Sequence, residues 1–126
     1  MNELTLELHA LASELQVAGV PATVDPGQVL LLVNQAGVCA LIEPADITPG
    51  MGMATLELTV PVRLLTHGPY DHDAVERLDE ALLLALPIVH PREPTTWDTY
   101  DAADTPMPGR LLTARRRIPY PPAVHP

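Results

Sequence analysis

The sequence contains no lysine and no phenylalanine, and it has one cysteine and one tryptophan among its 126 residues. A single cysteine excludes an internal disulfide and any metal site that needs several cysteines. Cys39 lies within the apolar run from Val38 to Ile42. Because a reactive thiol needs an electropositive and partly open setting, this position predicts a buried side chain and not a nucleophile.

Long hydrophobic segments are also missing. No apolar run approaches the roughly 20 residues of a membrane-spanning helix, and Met1–Glu3 has neither the basic nor the apolar region of a signal peptide. We therefore expect synthesis in the cytosol. Hydrophobic residues make up 47% and charged residues 18%, which is typical of a globular chain. The length predicts a single domain over residues 1–118 and a proline-rich, extended or disordered tail over 119–126.

The charge is strongly acidic and unevenly distributed. The formal net charge is -9, which argues against a nucleic-acid binder because such proteins neutralise phosphates with a basic surface. Residues 1–109 hold all 16 acidic residues and three arginines, whereas residues 110–126 hold four arginines and no acidic residue. This asymmetry favours head-to-tail contact between copies, with a solvated strand face as the alternative.

Two segments carry the pattern of amphipathic helices. The first covers about residues 3–18, with Asn2 as N-cap and Gly19 positioned to end it. The second follows an aspartate cap, Asp71 or Asp73, and Pro87 is expected to stop it. Their apolar faces are formed by Leu4, Leu8, Leu11 and Leu15 in the first, and by Val75, Leu78, Leu82, Ala85 and Leu86 in the second.

Several short β-favouring runs predict strands. They cover residues 28–33, 38–43 and 55–65, a short stretch around 97–100, and a last strand over 109–118. Asn34–Gly37 has the chemistry of a hairpin turn between the first two strands. Within residues 55–65 the apolar side chains at 56, 58, 60, 62 and 64 point one way, and those of Thr55, Glu57, Thr59, Pro61 and Arg63 point the other. Pro61 places that strand at a sheet edge or at a bulge.

The order of these elements is α-β-β-β-α-β-β. It predicts an α+β fold, a two-layer sandwich in which two helices pack on one face of a mostly antiparallel sheet.

One cluster resembles a metal site. His67, Asp71 and His72 fall in register with the His-x-His-x-Asp-His motif of the metallo-β-lactamase fold, but Pro69 occupies the second histidine position and cannot bind metal. The alternative is a turn whose aspartates cap the following helix. The sequence contains no glycine-rich phosphate loop and no recognisable catalytic triad. We therefore predict no catalytic residue, no cofactor and no metal site.

The whole pattern resembles the tail terminator and tail-completion proteins of long-tailed bacteriophages. The resemblance spans about residues 3–118: an amphipathic helix, a three-strand meander, an aspartate-capped helix with Val75, Leu78 and Ala81, and a final Pro108–Ala114 strand. It implies a ring, typically a hexamer, on the end of the tail tube. Such a ring stops tube polymerisation, joins the tail to the head connector and catalyses nothing.

The resemblance implies a virion protein whose partners are its own copies, the tube protein and the head-tail connector. A flexible methionine-glycine loop suits a docking surface, as does the polar face of the third strand. The predicted assembly residues are Met51, Met53, Glu57, Arg63, Arg115, Arg116 and Arg117. The alternative is a small acidic accessory protein, of immunity or regulator type, that masks a basic partner.

Overall fold

The computed structural model describes residues 2–50 and 54–119. Within these ranges the chain forms three α-helices and six strands. In chain order they are α1 (Glu3–Val17), β1 (Ala22–Thr23), α2 (Val29–Ala36, entered through a 3₁₀ turn at Pro26–Gln28), β2 (Val38–Ile42), β3 (Asp46–Pro49), β4 (Thr55–Thr66), α3 (His72–Val89), β5 (Thr96–Ala102) and β6 (Thr105–Pro119).

The strands form one mixed sheet in the order β1-β2-β4-β6-β5. Only β1 and β2 run parallel; the other pairs are antiparallel. Strand β3 pairs with the first half of β4, on the same edge that β2 occupies along the second half. The sheet is therefore built around β4 and β6, which pair from Thr55 opposite Pro119 to Leu65 opposite Gly109.

The alternation predicted for β4 is confirmed. Leu58, Val60, Val62 and Leu64 are fully buried and pack in the main core with Leu11 and Leu15 of α1 and with Leu78 of α3. Helices α1 and α3 therefore cover one face of the sheet, here called the inner face. The side chains between these positions point to the opposite, outer face.

The predicted helix caps are also found. The Asn2 side chain accepts a hydrogen bond from the backbone N–H of Thr5, and Gly19 follows α1 with a positive φ of 102°. Of the two aspartates proposed for the second helix, Asp71 is the N-cap and accepts from the N–H of Ala74 at 2.9 Å. These local signals succeed because each cap satisfies a backbone group that the helix itself leaves unpaired.

The prediction of a strand at 28–33 and a hairpin turn at 34–37 is wrong. Residues 29–36 form α2, and Gly37 ends it with φ of 85°. A short run that is apolar on all sides has no periodicity to separate strand from helix. Here the buried residues are Val29 and Val33, one helical turn apart, while Leu31 is half exposed.

The two-layer description is wrong for the same reason. Val29 and Val33 of α2 pack on the outer face of the sheet, against Cys39, Leu41 and Leu65. The helix order therefore differs from the prediction, and part of the sheet lies between helices on both faces.

Two proline predictions also differ from the structure. Pro87 does not stop α3, which continues to Val89 and ends at His90 in the left-handed conformation. Proline in a helix removes the hydrogen bond to the carbonyl four residues earlier, here that of Leu83, whose side chain is 69% exposed. Water reaches this side of the helix, so the unpaired carbonyl is tolerated within the last turn.

Pro61 lies in the centre of the sheet and not at an edge. Its carbonyl accepts a hydrogen bond from the N–H of Glu43, which lies in the gap between β2 and β3. In a strand, the carbonyl and the amide position of one residue face the same neighbour. The nitrogen of Pro61, which carries no hydrogen, therefore faces the gap between β2 and β3. The sheet has no hydrogen bond to lose at that position.

The other predicted strands are present, but their first and last residues differ from the prediction. β5 covers 96–102 around the predicted 97–100, and β6 begins four residues before the predicted Gly109. Strand β3 has no counterpart among the predicted strands. No helix within the described ranges is long and apolar enough to cross a membrane.

Candidate assembly surface

The outer face of the sheet has two ends of different character. Helix α2 covers one end, where Cys39, Leu41, Leu65 and Met107 are buried beneath it. At the other end, no described helix packs on the strands. We call this second region the open end; it consists of Glu57, Thr59 and Pro61 of β4 with Thr113, Arg115 and Arg117 of β6. Their shared face follows from the register, since directly paired residues point the same way.

Arg63 lies at the border between the two ends. Its guanidinium forms ion pairs with Glu43 and Asp98, the latter at 2.7 Å, and lies 5.8 Å from the ring centre of Tyr100. The hydrogen bond from Arg63, with a second from the backbone N–H of Thr99, holds the pKa of the Asp98 carboxyl below its ordinary value. Arg63 thus ties β4 to β5 and to the segment after β2.

The arginines of β6 are divided between the two faces. Arg115 pairs with Glu93, and Arg117 pairs with Glu57 at 2.8 Å, both on the outer side. Arg116 points to the inner side, where it pairs with Glu7 and Glu14 of α1. Of the predicted assembly residues, the structure therefore brings Glu57, Arg115 and Arg117 together, places Arg63 beside them, and puts Arg116 on the opposite face. Met51 and Met53 lie outside the described residues.

The open end contains a small cavity with excess positive charge. Its volume is 280 Å³, and Glu57, Thr59, Arg92, Arg115 and Arg117 contribute to its lining. Two of the arginines have carboxylate partners, but Arg92 forms no salt bridge with any residue in the described ranges. The pairing with Arg115 holds the pKa of the Glu93 carboxyl below its ordinary value. The guanidinium groups of Arg92, Arg115 and Arg117 therefore have only two carboxylate partners, Glu93 and Glu57. One more anionic group would balance the third positive charge.

No protein-family model matches this chain, and no curated protein sequence matches it.

The metal-like cluster of the sequence has a structural role. Asp71 caps α3, and among the residues described here no group of three histidine, cysteine or carboxylate side chains is arranged to hold a metal ion. Cys39 is completely buried, and this burial raises the pKa of its thiol to about 12. The thiol is therefore protonated at neutral pH, as expected for a small apolar core residue.

Two features were missed from the sequence. Arg92 lies far from the β6 arginines along the chain, so only the tertiary fold brings it into the same cavity. The second is an aromatic cluster on the inner side. The guanidinium carbon of Arg110 lies 3.8 Å from the ring centre of Trp97. The rings of Tyr70 and Trp97 are nearly perpendicular, with their centres 5.6 Å apart. The sequence showed these aromatic residues but gave no reason to place them together.

Proposed function

We propose that this chain is a structural virion protein that forms a ring of its own copies on a phage tail tube. The ring ends tube polymerisation, joins the tail to the head connector, and catalyses no reaction. The succession of an N-terminal helix, short strands paired with a long alternating strand, an aspartate-capped helix and a final strand supports this proposal. Helix α2 takes the place of the first strand of the expected layout.

The observation that carries the proposal is the arginine-lined cavity of the open end. It lies on an uncovered sheet face and has three guanidinium groups for two carboxylates, in a chain of net charge -9. An acidic side chain from a second copy is the anion that this chain itself supplies in excess. Such a contact joins two different surfaces, and head-to-tail contacts of this kind close into rings when the rotation between copies permits.

The existing ion pairs make this face suitable for burial. An unpaired charge that loses water is strongly destabilising, whereas a paired one is less so. Glu57 and Arg117 are already paired within the chain, as are Glu93 and Arg115. A neighbouring copy that covers the open end therefore needs to supply only one carboxylate, near Arg92.

The charge balance also suits a ring around DNA. With four arginines of the last segment paired to acidic residues of the same chain, the rest of the surface remains acidic. A negative lumen repels phosphates and lets DNA pass without adhering.

The test measures assembly directly. Light scattering and negative-stain electron microscopy, with and without purified tail tubes, are expected to show closed rings and tubes capped at one end. Arg92→Ala should weaken assembly, because it removes the guanidinium without a carboxylate partner. Arg116→Ala is the matched control, since it removes an arginine of the opposite face. Added salt should also shift rings toward monomers.

Two results count against the proposal. Monomers at all concentrations, with no binding to tube ends, would exclude a ring-forming role. A tight one-to-one complex with a basic protein, and no ring, would favour the acidic accessory function instead.

A further inference from the structure

A second exposed surface lies on the inner side of the sheet, at the end distant from Pro119. Two adjoining cavities, of 470 and 390 Å³, share Tyr70 and Thr99 in their lining. The first also contacts Pro69 and Pro106, and the second contacts Trp97. We call this surface the aromatic groove. Its two aromatic side chains are unusually accessible, Tyr70 being 61% and Trp97 40% exposed.

The groove is preorganised. Trp97 contacts both the guanidinium of Arg110 and the ring of Tyr70, which stands nearly perpendicular to its own. Arg110 is itself held by Asp79 of α3 at 3.6 Å and by the hydroxyl of Thr95 at 2.7 Å. The tryptophan is thus fixed in orientation, although it contributes little to the core. Fixed and exposed aromatic rings are what proline-rich ligands bind, because polyproline II segments dock into aromatic-lined grooves.

The chain carries such a ligand in its own sequence. Pro119-Tyr120-Pro121-Pro122 has prolines at the first and fourth positions, followed by Ala123-Val124-His125-Pro126. Proline fixes φ near the polyproline II value, so a segment of this composition favours that conformation and loses little entropy on docking. Only Pro119 of this segment lies within the described residues, as the last residue of β6.

This segment cannot reach the groove of its own chain. Pro119 pairs with Thr55, whereas Pro108, beside the groove, pairs with Thr99 at the other end of the same strand. The eleven residue steps from Pro108 to Pro119 span about 36 Å at the usual strand rise. From Pro119 to Pro126 a polyproline II segment covers only about 22 Å. The groove that receives it must belong to another copy.

We propose that residues 119–126 of one copy dock in the aromatic groove of the next. This inference rests on the self-assembly proposed above and names a contact that produces it. Each copy has one segment and one groove at opposite ends of β6, so the contact is head-to-tail and joins copies in sequence. It lies on the inner side, whereas the arginine cavity lies on the outer side, so one does not obstruct the other.

The first experiment uses Trp97, the only tryptophan of the chain, as the reporter. A peptide of residues 118–126 is titrated into the full-length Pro121→Ala/Pro122→Ala variant, whose groove is unoccupied under this proposal. The expected result is a saturable change in tryptophan fluorescence. A control peptide with alanine at 119, 121 and 122 should bind at least about tenfold more weakly, as should the normal peptide to a Tyr70→Ala acceptor. The absence of saturable binding, or equal binding of both peptides, would overturn the inference.

The second experiment mixes two assembly-defective chains. The tail variant Pro121→Ala/Pro122→Ala keeps the groove, and Tyr70→Ala/Trp97→Ala keeps the tail; circular dichroism checks that both remain folded. Each alone should assemble less than the normal chain. In their mixture, the tail of the Tyr70→Ala/Trp97→Ala chain can dock in the groove of the Pro121→Ala/Pro122→Ala chain. This single contact should produce one-to-one pairs and no larger assembly. If both variants form rings as well as the normal chain, the groove contact is wrong while the ring proposal stands. If the normal chain forms no ring yet binds the peptide, the ring proposal fails and the groove contact remains.

Discussion

The two ends of the outer sheet face are made from the same strands but are stabilised in different ways. Under α2, the side chains are apolar and fully buried, and their contribution comes from packing. At the open end, no side chain is fully buried, three of the six are charged, and these three form ion pairs such as Arg117 with Glu57. Packing is far stronger than exposed ion pairing. The covered end therefore supports the fold, while the open end is free to serve contacts with other molecules.

The largest expected effect lies at the covered end. Leu65 is 1% exposed beneath α2, so Leu65→Ala should destabilise the protein by about 2–5 kcal/mol through lost contacts and a residual cavity. The matched change at the open end is Thr59→Ala, which should cost less than about 1 kcal/mol. Denaturant unfolding measures both. Equal losses would contradict the division of the outer face into a structural end and a free end.

A smaller effect is expected where α2 joins the sheet. The buried hydroxyl of Thr66 donates to the carbonyl of Gly37 at 2.7 Å and accepts from Nε of Arg77 at 2.8 Å. Thr66→Val keeps the shape but leaves both groups unpaired, which should cost about 1–3 kcal/mol. Thr113→Val, a half-buried threonine of the open end, is the control and should be within about 0.5 kcal/mol of the parent. If the two variants unfold alike, the Thr66 contacts are not what fixes the end of α2.

This region also shows how far the sequence leads. Caps and alternation are local signals, so Asn2, Asp71 and the strand from Thr55 are predicted correctly. The state of residues 29–36 depends on a partner, since a short apolar run becomes helix or strand according to the surface that it covers. Gly109 illustrates the same limit. It was predicted to begin a strand, but it lies within β6, where an added Cβ would come within 2.8 Å of Leu65 Cδ2 and 3.0 Å of the Leu64 carbonyl.

The candidate site is predicted only in part for the same reason. The face of Glu57 follows from alternation in β4. Arg116 was grouped with Arg115 and Arg117 in the prediction, whereas alternation in β6 puts it on the opposite face, against α1. The placement of Arg92 and the stacking of Arg110 on Trp97 require the path of the chain after α3. That path contains prolines and has no periodicity, so the sequence alone does not fix it.

The pH dependence of the unfolding free energy should report on the Arg63–Asp98 ion pair, at the border between the two ends. In the folded state the pKa of Asp98 is depressed by Arg63, so this pair stabilises the protein above the unfolded pKa, and the contribution is lost as the pH falls through the folded value. Between pH 6 and 3, the difference in unfolding free energy between the parent and Asp98→Asn should shrink, mainly below about pH 4. A difference that stays constant over this range would show that the ion pair does not stabilise the fold.

The smallest expected effect on stability is that of Arg117→Ala at the open end. This variant gives the clearest test of the difference between the covered end and the open end. The side chain of Arg117 is 67% exposed and its partner Glu57 is 42% exposed, so solvent screens the pair and Arg117→Ala should cost no more than about 1 kcal/mol. The change does, however, remove positive charge from the cavity that we propose as a contact between copies. Thermal unfolding and light scattering on the same samples separate the two roles. A nearly unchanged melting temperature with weaker assembly is expected, because a charge that contributes little to one chain can still be required between two. A large loss of stability would instead place Arg117 among the residues that hold the fold.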